Sequence, residues 1–226
     1  MVETSIDARS LYPDSDGKPI ADNTVQYRWS VRLVSNLKHL FEGQTVFVAG
    51  DLLWYPRRVD APPVPAQAPD VMVVLGRPDG GSEALLQADR GSYKQWEEDD
   101  IAPRVVFEIL SPGNSAREML NKQLFYREYG VLEMFFYDPD SRDFWGWARS
   151  DREGEFLPIT PLNLPWTSPL LGIRFEMSAD GLEVYYPDGK PFQDPSAVFT
   201  ERDRAEQERD RAFAKLRELG IDPTTL

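Results

Sequence analysis

The chain has 226 residues, 41% of them hydrophobic and 28% charged, which suits one substantial globular core with appendages. It has no cysteine and a single histidine, His39. Disulfide frameworks, thiol nucleophiles and thiolate zinc sites are therefore excluded, and a Ser-His-Asp triad or a two-histidine metal site all but so. The formal charge of −13 argues against the broad basic surface that is the usual footprint of a nucleic-acid binder, leaving at most a clustered basic strip.

Residues 1–22, rich in Asp, Pro and Gly, read as an extended lead-in. Their polar, mixed-charge start lacks the basic and apolar regions of a signal peptide. No apolar run approaches the ~20 residues of a membrane span, so no membrane role and a cytoplasmic location are the simplest expectations. Over residues 23–41, Val25, Trp29, Leu33, Leu37 and Leu40 recur at helical spacing, with Asn23 or Thr24 as the cap and Gly43 as the stop. His39 falls in this helix, beside Lys38 and Leu40, and reads as a structural or surface residue. Residues 45–55 form one or two strands around Gly50, and 56–68 a Pro- and Ala-rich loop. Residues 70–75 are an apolar run without alternation, the pattern of a strand covered on both faces. A long exposed loop over 76–102 follows, with a short helix near Tyr93 to Trp96 and a solvated acidic run from Glu97 to Asp100.

Residues 104–110 repeat the buried-strand pattern, and Pro112-Gly113-Asn114 breaks it. Ser115 and Glu118 form an S-x-x-E capping box for a helix that runs to Tyr129 and stops at Gly130. Residues 132–137 are the next strand, and Asp138-Pro139-Asp140 turns the chain into 144–147. Strand, helix and strand over 104–137 make a β-α-β unit with a parallel pair in a mixed sheet. Short strands over 155–187 extend the same domain, which spans 23–195. Residues 196–226 are a charged helix, either a solvated terminal element or a coiled-coil stub. The aromatics Trp145, Trp147, Trp166, Tyr185 and Tyr186 are read as packing residues.

Glu108 is the most informative residue, a carboxylate with apolar neighbours on both sides along a buried strand. Burying it unpaired costs several kcal/mol, so a proton, a cation or a metal ion must compensate. Asp70 opens the other buried strand directly after Pro69. If the strands neighbour each other the two acids converge, making the oxygen-only environment that hard divalent cations such as Mg²⁺ prefer. Glu118, Lys122 and Tyr126 lie four apart and share a helix face. Packed back on its strand, that helix brings Lys122 toward the acids, where an ammonium can orient water and stabilise phosphate charge. Glu118 is accounted for by the cap, while Tyr126 is either core packing or a substrate-positioning group.

Pro69-Asp70, then Glu108-Ile109-Leu110, then Lys122 resembles the PD-(D/E)XK superfamily of nucleases, the restriction-endonuclease-like fold. A longer string is more specific: Pro69-Asp70 leading into Val71, Met72, Val73 and Val74; Val106 through Glu108 to Ser111-Pro112; Lys122 with Tyr126; Tyr129-Gly130-Val131 with Glu133; and Tyr137-Asp138-Pro139. It is similar to the Uma-type family of bacterial endonucleases over residues 20–190. The resemblance implies an α/β fold with a mixed sheet flanked by helices. It implies Mg²⁺ or Mn²⁺ held by Asp70, Glu108 and the Ile109 carbonyl, catalysis by Asp70, Glu108 and Lys122, and DNA hydrolysis by a homodimer. One departure stands out: the superfamily's usual lysine, two after the Glu, is Leu110 here, and the family's lysine position on the next helix is matched by Lys122. A Lys122 out of reach of the acids would leave a site that binds metal without cutting. Two other classes compete. A catalytically silent module of the same fold, binding nucleic acid or protein, is favoured by the charge of −13 and by Leu110. A carboxylate-pair hydrolase such as a glycosidase would need no metal.

Overall fold

A computed structural model describes residues 11–15, 17, 21, 23–76 and 90–218. Its centre is a six-stranded mixed sheet ordered β1-β3-β5-β6-β7-β8. These strands are β1 (Phe47–Ala49), β3 (Val71–Val74), β5 (Val105–Ile109), β6 (Glu133–Asp138), β7 (Asp143–Ala148) and β8 (Leu157–Ile159). Within this sheet β5 and β6 pair in parallel and the other described neighbours are antiparallel. The parallel pair is joined by α2 (Ala116–Tyr129), as the β-α-β reading requires.

Every residue of β3 and β5 is buried, and alternate residues serve two separate cores. Val71, Val73, Val105, Phe107 and Ile109 join Leu33 and Leu37 of α1 (Thr24–Leu40) on one face. Met72, Val74 and Val106 join Met119 and Tyr126 of α2 on the other. This two-sided covering is why the strands read as unbroken apolar runs rather than as alternation.

Helix boundaries follow local chemistry. Asn23, not Thr24, caps α1: its side chain accepts from Val25 N at 2.9 Å and Gln26 N at 2.8 Å. The expected apolar face is shifted, because Val25 is exposed and Gln26 is buried beside Leu33 and Leu37. Ser115 caps α2 through Glu118 N at 3.2 Å, the Ser half of the capping box, and Gly130 ends the helix with φ +99°. His39 is 74% exposed at the side chain, lies 3.6 Å from Glu42 and meets the Tyr186 ring edge-on at 6.1 Å.

Residues 90–102 differ from the expected exposed loop; residues 77–89 lie outside the described residues. Tyr93 and Lys94 form β4, paired in parallel with β2 (Trp54–Tyr55), and Gln95–Glu97 is a 3-10 turn. Within the acidic run Glu98 is buried, because Arg90 donates to both of its oxygens at 2.6 and 3.1 Å. The sequence shows four adjacent acids; only the tertiary arrangement gives one of them a buried cation. In the lead-in, Tyr12 is buried against Leu53 and Tyr55.

Strands β9 (Trp166–Thr167), β10 (Arg174–Ser178) and β11 (Gly181–Tyr185) form a separate antiparallel sheet, from which Phe175 and Val184 enter the α1-side core. Trp145 stacks on Phe136 at 5.6 Å and Trp166 packs on Phe135 at the same separation, so these aromatics fill space. The described residues 193–218 belong to a second unit, made mostly of α3 (Pro195–Glu218). Its surface carries its own i,i+4 pairs, Arg202 with Glu206 and Arg204 with Glu208. Among the described residues no helix is long and apolar enough to cross a membrane.

Candidate active site

The register between β3 and β5 sets Val71 opposite Phe107. One step further along the same ladder, Asp70 stands opposite Glu108, and strand alternation turns both toward α2. Asp70 is fixed by its surroundings. Its Oδ2 accepts the Ile109 backbone N–H at 2.6 Å, and its carbonyl accepts the Asp51 N–H at 3.3 Å. Gly50 keeps that approach open, because a Cβ would lie 3.2 Å from the Asp70 carbonyl oxygen and 3.1 Å from Val34, closer than most side chains sit.

The crossover helix supplies the rest. Lys122 Nζ donates to Glu108 Oε2 at 2.7 Å. One turn later the Tyr126 hydroxyl donates to Glu108 Oε1. Tyr126 is fully buried and stacks on Trp54, their rings 7° from parallel and 6.5 Å apart. Trp54 is anchored in turn by its indole N–H to Gln95 Oε1 at 3.1 Å. Of the two readings the sequence left open for Tyr126, core packing and substrate positioning, the structure shows a fully buried ring whose hydroxyl ends on Glu108 and holds that carboxylate in place.

Burial and then the negative charge of Glu108 push the Asp70 carboxyl up to about 7, against the opposing pull of Lys122, the Ile109 N–H and Gln26. Burial works to lower Lys122, but the charge and hydrogen bond of Glu108, with the charges of Asp70 and Glu118, outweigh it and hold the ammonium above its ordinary value. Tyr126 is raised well above its ordinary value by burial, by Glu108 and by Asp70, so it stays a neutral donor.

Asp70, Glu108, Lys122, Tyr126 and Ile109 thus meet at one end of β3 and β5. Among the described residues no group of three or more His, Cys, Asp or Glu side chains is placed to hold a metal. The fit to a hard divalent cation rests on two carboxylates and one backbone carbonyl. Two acids share one ammonium, and burial together with the charge of Glu108 makes a proton or a cation favourable at Asp70. Oxygen donors of this kind suit Mg²⁺ or Mn²⁺.

Sequence reasoning missed Gln26. Its Nε2 donates to the Ile109 carbonyl at 2.9 Å and to Asp70 Oδ1 at 3.4 Å. A signal existed: Gln26 lies three residues before Trp29 and seven before Leu33, on the inner face where an apolar residue is expected.

A family model described as "Uma2: Putative restriction endonuclease" matches residues 12–180. Among solved structures, the chain is similar to the crystal structure of "a putative nuclease belonging to DUF820" from Anabaena variabilis ATCC 29413. The two share 18% identity at a TM-score of 0.47, over 69% of this chain and 77% of that one. No curated protein matches the chain.

Proposed function

This chain belongs to the Uma2 family, and from that premise we propose that it is a divalent-metal-dependent endonuclease hydrolysing DNA phosphodiester bonds. The observation that carries the reading is the meeting of Lys122 with Glu108 across from Asp70, since the lysine displaced from position 110 returns to the acids from α2. Asp70, Glu108 and the Ile109 carbonyl would hold the ion. When bound, the ion supplies Lewis-acid polarisation of the phosphodiester and activation of water.

Lys122 is kept protonated, so it acts as a donor and a positive charge rather than as a base. Its side chain is 14% exposed against 2% for Glu108, which puts the ammonium on the solvent side of the carboxylate. There it can orient an attacking water or stabilise charge developing on the phosphate oxygens. Tyr126 and Lys122 together fix both oxygens of Glu108, so the carboxylate needs little reorganisation. Cutting both strands takes two such sites, which makes a homodimer part of the proposal.

Nicking of supercoiled plasmid in Mg²⁺ or Mn²⁺ tests the reading. The wild type cuts, and Glu108→Gln and Lys122→Met, folded by circular dichroism, lose on the order of 10²–10³ in rate. A wild type that binds metal yet cuts no nucleic acid supports a second reading, a silent binding module. The internal hydrogen bonds on both Glu108 oxygens and the charge of −13 favour that alternative. A protein that neither binds metal nor cuts overturns the site.

A further inference from the structure

Gln26 sits in the first turn of α1, where the Asn23 cap accepts its backbone N–H at 2.8 Å. A glutamine three residues after a cap commonly reaches back to the cap's own backbone. Here the side chain turns inward, is buried, and hydrogen-bonds across the sheet end. The position lies on the helix face that carries Leu33 and Leu37 into the core, where a Leu or Met would pack. A buried amide at such a place is costly unless its donors are used.

Two acceptors of the Gln26 amide are atoms of the proposed metal site: the Ile109 carbonyl at 2.9 Å and Asp70 Oδ1 at 3.4 Å. The remaining Asp70 oxygen is held by the Ile109 N–H at 2.6 Å. The carboxylate is thus tied at both oxygens to the two ends of one residue, with Gln26 closing the ring. Each acceptor oxygen carries a second lone pair that a cation can use. We propose that Gln26 is a positioning residue of the metal site, its amide holding Asp70 and the Ile109 carbonyl at the spacing one divalent cation needs. This rests on the metal-dependent reading above. It gives α1 a role in the site that Asp70, Glu108 and Lys122 do not cover: without the amide, the Ile109 carbonyl loses its side-chain partner and Asp70 keeps one tether.

The test is calorimetric titration of the full chain with Mn²⁺, comparing wild type with Gln26→Met and Gln26→Asn. Met keeps the volume but has no donor. Asn keeps the amide but falls one methylene short, and as the milder change it keeps the test open if Met disturbs folding. Both variants are expected to bind Mn²⁺ about tenfold or more weakly, the usual effect of losing a group that orients metal ligands, with melting temperatures near wild type. Unchanged or tighter Mn²⁺ binding by either folded variant overturns the proposal, as does a lowered melting temperature with intact affinity, the mark of a merely structural glutamine. A wild type that binds no Mn²⁺ overturns the metal reading itself and this inference with it.

Discussion

Two carboxylates are buried on neighbouring strands of the same sheet, Glu108 on β5 and Glu133 on β6, and they are 2% and 1% exposed. Their surroundings are opposite. Among the described residues Glu133 receives neutral donors alone, the Ser168 hydroxyl and the Leu170 backbone N–H at 3.2 Å, and burial outweighs both bonds to raise its pKa. Those donors come from the loop between β9 and β10, so Glu133 ties the second sheet to the first. Glu108 receives an ammonium and a phenol and faces another carboxylate. A buried acid is therefore not by itself a site. What distinguishes the β5 end is two acids brought together beside one ammonium, so that Asp70 favours a proton or another positive charge.

The largest expected effect is on cleavage. Glu108→Gln abolishes most plasmid nicking, whereas Glu133→Gln leaves the rate within about threefold and costs about 1–3 kcal/mol in denaturant unfolding, because an amide has one acceptor oxygen and its N–H₂ must then face either the Ser168 hydroxyl or the Leu170 N–H, both of which donate to the carboxylate. Equal loss of nicking in a folded Glu133→Gln would break the distinction between the two acids.

The next effect is on stability against pH. Asp70 has a folded pKa of about 7 and an ordinary value of 3.8, so between these values the folded chain holds a proton that the unfolded chain has released. Its contribution is complete below about 4 and is lost as pH rises through about 7. At roughly 1.36 kcal/mol per pH unit this amounts to on the order of 4 kcal/mol. Denaturant unfolding in a chelator should show that loss, Asp70→Asn should flatten it, and Mn²⁺ should restore stability above pH 7. A profile that Asp70→Asn does not alter would place the titration elsewhere.

The smallest effect is at His39. Its exposed imidazole touches neither acid cluster, so His39→Ala should change stability by less than about 0.5 kcal/mol and leave the nicking rate unaltered. A large loss of nicking there would bring the chain's one imidazole back into the chemistry.

Much of this arrangement was legible in the residues. Periodicity marked α1, apolar runs without alternation marked the two-faced strands, and Ser115 and Gly130 marked where α2 begins and ends. The acids at 70 and 108 stood out because a carboxylate among apolar strand neighbours demands compensation, and Lys122 because helical spacing put it beside Tyr126. These signals are local, carried by neighbours two to four residues apart. Tertiary structure decided the rest. It set Asp70 opposite Glu108 through strand register, turned Tyr126 inward onto Glu108, buried Glu98 against Arg90, and gave Glu133 its partners from the β9–β10 loop. It also carried Gln26 to a carbonyl 83 residues away. Except for Arg90 and Glu98, eight residues apart, those contacts join residues too far apart in the chain for a local pattern to encode, because the choice of partner is made by sheet pairing and by the way helices pack on the two faces.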